Sequence, residues 1–460
     1  EIADRDWSSD VCSSDLRMTE LSKGGFFERR FRLSERKTDV KTEFLAGLTT
    51  FMTMSYILAV NPNMLAQTGM DKGGVFTATI VASVIAMLVM GFYANLPFAL
   101  APGMGLNAFF TYTVVLDRGH SWQFALTAVF IEGIIFILMS FFNVREAIFN
   151  AIPMSLKKAV SVGIGLFIAL IGFVNAGVIS SGAGTILSLG NLLTPGVLVT
   201  FVGLLVMALL MAKKVKGALL YGIIISTVLA LILGVTHAPE NGWIQAPPSL
   251  SGVAFKLEWK QIFTWDMFAI TFTFLFVDLF DTVGTLVGVA SKADLLNEKG
   301  ELPKAGPALF ADSVGTTVGA LLGTSTVTTF VESASGVTDG GRTGLTSLSV
   351  AFFFLISLFL FPLFSIVPAQ ATAPALIMVG LFMMTPIKDI PFEDYTESVP
   401  AFLTIVMMPF AYSIAEGIAF GMMSYVLIKV ISGKHKDVSL LMYILAFIFL
   451  TRIIAPVFGM

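Results

Sequence analysis

Stretches of about 20 apolar residues recur along this chain from Glu43 to Ile431, each long enough to cross a hydrocarbon layer about 30 Å thick. No other feature constrains the fold as much. At membrane depth every backbone N–H and C=O needs an internal partner, so such stretches become helices or pieces of helix buried in protein. Composition agrees: of 460 residues, 56% are hydrophobic and 13% charged, with a mean hydropathy of +0.85. Soluble domains carry about 25% charged residues. The chain is therefore expected to be an all-α polytopic membrane protein, with the lipid bilayer as its solvent. Its net charge of −3 gives no basis for binding nucleic acid.

Fourteen spans are expected. The first seven lie near 43–62, 75–93, 99–116, 122–142, 157–175, 195–212 and 217–235. The second seven lie near 266–290, 306–323, 324–338, 344–362, 366–386, 398–412 and 415–432. A further apolar segment, 438–457, is long enough to be a fifteenth span or a helix lying in the interface. Residues 1–17 match nothing that follows. They lack the apolar region of a signal peptide and read as a non-native leader, with Met18 as the natural start.

Orientation follows from lysine and arginine. With the N-terminus in the cytoplasm, the inner loops collect Arg29, Arg30, Arg32, Arg36, Lys157, Lys213, Lys216, Lys304, Arg342 and Lys434, among others. The outer loops keep Lys72, Arg118, Lys256 and Lys260. The expected location is the cell membrane, plasma or inner.

Seven spans per half place the halves, 43–235 and 266–432, in opposite orientations, the inverted repeat common among secondary carriers. Each half has one segment that reads badly as a continuous helix, in its third span. One is "NLPFALAPGMGLNAFF", broken at Pro97, Pro102, Gly103 and Gly105; the other is "GTSTVTTFVESASGVTDGG". Paired interrupted segments are the best sequence pointer to a binding site at mid-membrane.

The polar residues near these breaks are the candidates. Asp278 and Asp281 stand three positions apart on one helical face, continued by Thr285. Each charged aspartate at mid-bilayer costs roughly 2.5–3.5 kcal/mol on insertion scales, so the pair reads as a substrate or proton site. The alternative is polar glue between helices. Gly284 and Gly288 form a G-x-x-x-G pair suited to close helix packing. Glu332 lies in the second broken segment, among the hydroxyls of Thr328, Thr329, Ser333 and Ser335. Asn107, just after Gly105, offers donors and an acceptor, or serves as a helix N-cap. Asp312, Glu132 and Glu416 read as interhelical or gate contacts. The sole cysteine, Cys12, rules out an intrachain disulfide and a cysteine-based metal cluster, and His120, His237 and His435 fall in loops. Carboxylates must then do any proton relay. No metal or cofactor is expected.

Four segments, "TEFLAGLTTFMTMSYILAVNP", "APGMGLNAFF", "VDLFDTVGTLVG" and "VESASGVTDGGRTGLTSL", resemble the nucleobase–ascorbate transporters (nucleobase:cation symporter-2). They are most similar to the AzgA-like adenine/guanine/hypoxanthine permeases. The likeness runs from about Phe26 through the last helix. It implies a 7+7 inverted repeat, with a short strand and a half helix in each of spans 3 and 10, and a homodimer. It also implies core halves at 43–142 and 266–362 and gate halves at 143–235 and 363–433. Residues 18–42 would be an N-terminal cytoplasmic segment, 236–265 an outer linker, and 434–460 a C-terminal apolar helix and tail. The family's substrate contacts carry over onto Asn107, just after Gly105, onto Asp278 and Asp281, and onto Glu332. Gly105 and Thr329 join them as substrate-binding candidates, and Asp281 or Glu332 is the candidate for exchanging the proton. The expected activity is import of a purine nucleobase with a proton by alternating access, not enzymatic catalysis. A purine ring N–H donating to a buried carboxylate makes a charge-assisted bond, while three carboxyls in one cavity repel when all are ionised. Xanthine or uracil specificity and sodium coupling are the alternatives. An ion channel fits broken, inverted halves less well. An intramembrane aspartyl protease needs its two aspartates on different helices.

Overall fold

The computed structural model describes residues 25–141, 152–182, 185–239, 242–292, 295 and 302–454. The expected leader, 1–17, lies outside them, as do parts of two loops that were counted as inner ones. Among the described residues nine helices are long and apolar enough to cross a membrane.

A short helix, α1 (Phe26–Phe31), precedes the first membrane helices, α2 (Val40–Met54) and α3 (Ile57–Ala66). These two share what the sequence presents as one span, parted at Ser55 and Tyr56. Helix α4 (Lys72–Val89) ends in a wider π turn, Met90–Ala94. Strand β1 (Leu100–Pro102) then leads into the half helix α5 (Met104–Ala108), which widens into a π-helical stretch, Phe109–Asp117. Next come α6 (Trp122–Phe141) and α7 (Met154–Asn175). A small hairpin, β2 (Ile179–Ser180) and β3 (Ser188–Leu189), precedes α8 (Pro195–Ala212) and α9 (Ala218–Ile232).

The second half repeats this order. Helices α10 (Trp265–Lys292) and α11 (Ala305–Leu322) are followed by strand β4 (Val327–Thr329) and the half helix α12 (Ser333–Thr338). Then come α13 (Gly344–Ser357), α14 (Phe361–Ser365), α15 (Ala369–Met383), α16 (Tyr395–Phe410) and α17 (Ile414–Ile431). The strand and half helix thus fall at the same place in each half, where the sequence pattern breaks. The last helix, α18 (Leu440–Ile454), has 15 residues, about 22 Å at 1.5 Å per residue, which is short for a full crossing. It packs on α17, and Phe449 meets Phe272 and Phe276 of α10 edge-on.

Packing sorts the helices into two groups. Helix α2 packs on α12 and α13, α4 on α11 and α13, and α6 on α10 and α11. In the other group α7 packs on α15 and α16, α8 on α9 and α15, and α16 on α17. Gly165 of α7 and Gly380 of α15 show how close the counterparts of the two halves come: a Cβ on either would land on the other's carbonyl oxygen. No larger residue fits at that crossing. Gly284 and Gly288 are different. No described residue lies within 4 Å of where their Cβ atoms would be, so the G-x-x-x-G pair does not mark a close helix contact here.

Candidate functional site

The two broken segments meet. Strands β1 and β4 pair antiparallel, with Leu100 opposite Thr329, Ala101 opposite Thr328 and Pro102 opposite Val327. The pairing is extended by Gly103 N–H donating to the Thr326 carbonyl (3.0 Å) and Phe330 N–H to the Ala99 carbonyl (2.9 Å). The Ala99 N–H donates to Ser333 Oγ at 3.0 Å. Backbone that leaves the helix at this depth is therefore satisfied across the two halves, as a low-dielectric interior requires. Buried Glu132 of α6 supports the same corner by accepting from Thr326 Oγ1 at 2.8 Å. Its partner lies in the turn between α11 and β4, so this contact joins a helix to the strand's approach and not to another helix.

Around this strand pair the structure gathers most of the candidate residues. Asp281 is half-buried, with Asp278 and Glu332 as its charged neighbours and Thr328 beside it. A Cβ added at Gly103 would stand 3.0 Å from Thr328 Cγ2 and 3.4 Å from Asp281 Oδ2, so glycine lets the chain pass close to the carboxyl. Glu332 is half-buried and accepts from the Tyr56 hydroxyl at 2.9 Å. Thr329 is buried, and its Oγ1 has no hydrogen-bond partner among the described residues. The same is true of Asn107 Oδ1, whose Nδ2 donates to the Pro102 carbonyl at 3.4 Å. Buried polar atoms nearly always find partners, so these two oxygens are places where a ligand could supply a donor. Asn107 is not an N-cap: Gly103 holds that position, and Asn107 lies inside α5. At Gly105 a Cβ would come 2.8 Å from Ile164 Cγ2 of α7, where the two helix groups touch.

Asp278 is placed differently from its partner. It is fully buried and accepts from Thr282 Oγ1 at 2.9 Å. The same hydroxyl lies 3.2 Å from both oxygens of buried Asp312 on α11. Asp278 and Asp281 share a helical face, yet one looks into a carboxyl–hydroxyl–carboxyl contact and the other toward the strand pair. Asp312 is an interhelical contact, as expected. Glu416 stands away from the site, 3.7 Å from Arg118. Sequence reasoning missed Tyr56 and Thr282. The break at Ser55 and Tyr56 shows only in the structure, so no sequence signal marked the first; nothing separates Thr282 from the many other threonines.

No lysine, arginine or histidine occurs in 100–112, 265–291 or 324–338, the segments that build this site. Among the described residues no cluster of His, Cys, Asp and Glu could hold a metal ion. The arrangement offers hydrogen-bond acceptors and carboxyls to a small polar ligand.

A model of the Permease family matches residues 41–420. The chain belongs to the nucleobase–ascorbate transporter family. Within that family it is 43% identical to the adenine permease AdeP of Escherichia coli over 436 residues, 95% of this chain and 98% of that one. It is 44% identical to the guanine/hypoxanthine permease PbuG of Bacillus subtilis over 438 residues, 91% of this chain and 99% of that one. Among solved structures, the transmembrane domain of a cyanobacterial bicarbonate transporter, BicA, superposes with a TM-score of 0.63. That match is 16% identical and covers 82% of this chain and 97% of that one. It establishes the fold: this family member is a multi-pass membrane protein built as a 7+7 inverted repeat.

Proposed function

We propose that this chain imports purine nucleobases (adenine, guanine or hypoxanthine) with a proton across the cell membrane, its N-terminus in the cytoplasm. The purine class rests on the adenine and guanine/hypoxanthine permeases it resembles. The observation that carries the reading is the meeting of Asp281 and Glu332 at one strand pair, with Asn107 Oδ1 and Thr329 Oγ1 left without partners among the described residues. A purine ring presents N–H donors beside a carbonyl or ring-nitrogen acceptor. Its N–H groups suit Glu332 and Asp281, and the Asn107 amide and Gly105 backbone flank the ring. Asp278 acts from behind, through the helical turn it shares with Asp281. Three carboxyls with no cation in the surrounding segments favour holding one proton, and ligand exchange at Asp281 or Glu332 moves it.

Alternating access is served by two helix groups that slide on each other at Gly105 and Ile164. Among the described residues, two ion pairs bridge them: Lys216–Asp339, at 2.5 Å, and Arg118–Glu416, at 3.7 Å. The test is uptake of labelled purines into proteoliposomes. Glu332→Gln and Asp281→Asn should each lower affinity by roughly tenfold to a hundredfold, the value of one charged hydrogen bond at about 1.5–3 kcal/mol. Uptake should rise with an inward proton gradient and collapse with a protonophore. Normal kinetics in both variants would reject the site. Uptake driven by sodium and indifferent to pH would reject the proton alone.

A further inference from the structure

Away from the nucleobase site, on the face that carries the N-terminus, three parts of the chain enclose a cavity of about 270 Å³. Helix α1 brings Arg30 and the turn after it Arg32, Glu35 and Arg36; the end of the π turn after α4 brings Tyr93 and, just beyond it, Asn95; the approach to α11 brings Lys304. Four cationic side chains face one carboxylate. Its ion pair is with Arg32, at 3.7 Å, and both of those side chains are more than half exposed. Arg30, Arg36 and Lys304 form no ion pair with a carboxylate among the described residues, and the attraction of Glu35 on Lys304 is outweighed by the three arginines.

The cations are held together by a stiff frame. Arg32 takes a left-handed backbone (φ 57°) where α1 ends, and the chain folds back so that the Arg36 N–H donates to the Arg32 carbonyl at 3.1 Å. Phe31 and Leu33 anchor that turn in a buried cluster with Leu345. Asn95, itself left-handed (φ 53°), donates to the Phe31 carbonyl at 3.1 Å and accepts from the Gly344 N–H at 2.8 Å. A basic loop that only sets membrane orientation needs neither a concavity nor such anchoring. Holding like charges around a hollow is unfavourable unless an anion fills it.

We infer that this pocket binds a phosphate group, carried by an anionic membrane lipid or by a soluble phosphate compound. Arginine guanidinium groups match phosphate in geometry as well as in charge. Tyr93 of the lining is exposed, as are Phe26 and Phe27 on the helix that carries Arg30, and aromatic side chains of this kind are enriched at headgroup level. The Lys304 amine is held below the usual lysine range by its burial and then by Arg36, Arg32 and Arg30, a strain that a bound anion relieves.

The experiment uses the full chain purified in detergent and titrated separately with phosphatidylglycerol, phosphatidylcholine and inorganic phosphate, with bound ligand read by native mass spectrometry. The variant R30Q/R36Q/K304Q is compared with K213Q/K214Q/K388Q, which removes as many charges from exposed sites elsewhere. At about fivefold per cation near a phosphate surface, the pocket variant should lose roughly a hundredfold in affinity while the control keeps it. Loss confined to phosphatidylglycerol assigns the site to lipid; equal loss for inorganic phosphate assigns it to a soluble phosphate. The inference is overturned if neither binds the wild type, or if both variants lose affinity alike. Should the triple variant not remain monodisperse, K304Q alone is read, with about a fivefold loss expected. None of these outcomes depends on nucleobase transport.

Discussion

Thr282→Val removes one O–H from the space between two buried carboxyls and changes little else in shape. A hydroxyl has one proton to donate and two lone pairs to accept with. In the structure it stands 2.9 Å from Asp278 Oδ1 and 3.2 Å from both oxygens of Asp312. One proton cannot serve two carboxylates at once, so the contact closes best when one carboxyl brings a proton of its own and donates it to Oγ1. The size of the effect reports on charge. A hydrogen bond to an ionised group contributes about 1.5–3 kcal/mol and one between neutral groups about 1 kcal/mol. With one ionised partner, Thr282→Val should therefore cost about 2–3 kcal/mol, a thirtyfold or greater shift toward the unfolded state. Thr282→Ser should keep most of the stability. The assay is the temperature at which detergent-solubilised protein loses monodispersity, read beside purine uptake. A Thr282→Val protein that melts with the wild type and transports normally would refute the account, because the two carboxyls would not then need the hydroxyl.

Asp339 and Lys216 join the two helix groups, and Thr49 Oγ1 adds a bond to the same carboxyl at 2.6 Å. Lys216 is more than half exposed, so the pair contributes about 1 kcal/mol or less; a double-mutant cycle of Asp339→Asn and Lys216→Gln should give a coupling of that size, weakened by salt, and additivity would remove the contact from the account. Burial pushes the Asp339 carboxyl up, but Lys216 and Thr49 outweigh it and leave it below the usual aspartate range. The stabilisation should therefore be fully present above about pH 4 and fade as the pH falls further, through the lowered folded-state value, which acid titration of thermal stability in wild type and Asp339→Asn would check. Gly105→Ala places a methyl group 2.8 Å from Ile164 Cγ2, so it should slow purine uptake more than it lowers stability, and Ile164→Ala, which removes Cγ2, should recover part of the rate on the same background. Equal slowing with and without Ile164→Ala would show that the crossing does not limit transport.

What could be read from the residues followed from hydrocarbon length and backbone chemistry. The run from Trp265 to Lys292 and the helix Pro195–Ala212 fall where apolar length puts them, and strands β1 and β4 sit where proline, glycine and β-branched residues interrupt it. The carboxyls Asp281 and Glu332 stand out in the sequence for a related reason, because a charge kept at that depth has a partner or a task, and the structure brings the two together beside one strand pair. The direction each carboxyl faces was not legible, because it depends on where neighbouring helices cross. Asp278 and Asp281 share one face in sequence, yet α11 approaches on the side of Asp278 and covers it, while β4 leaves Asp281 half open. Tyr56 escaped for the same reason. Its hydroxyl reaches Glu332 across 276 positions in the chain, and nothing near Tyr56 encodes that partner. Two positions that residue type alone leaves interchangeable are separated by packing: Asp281 faces the strand pair, and Asp278 answers to Thr282 and Asp312. A perturbation at Thr282 should then reach transport only through Asp278, while one at Glu332 should act on the ligand directly.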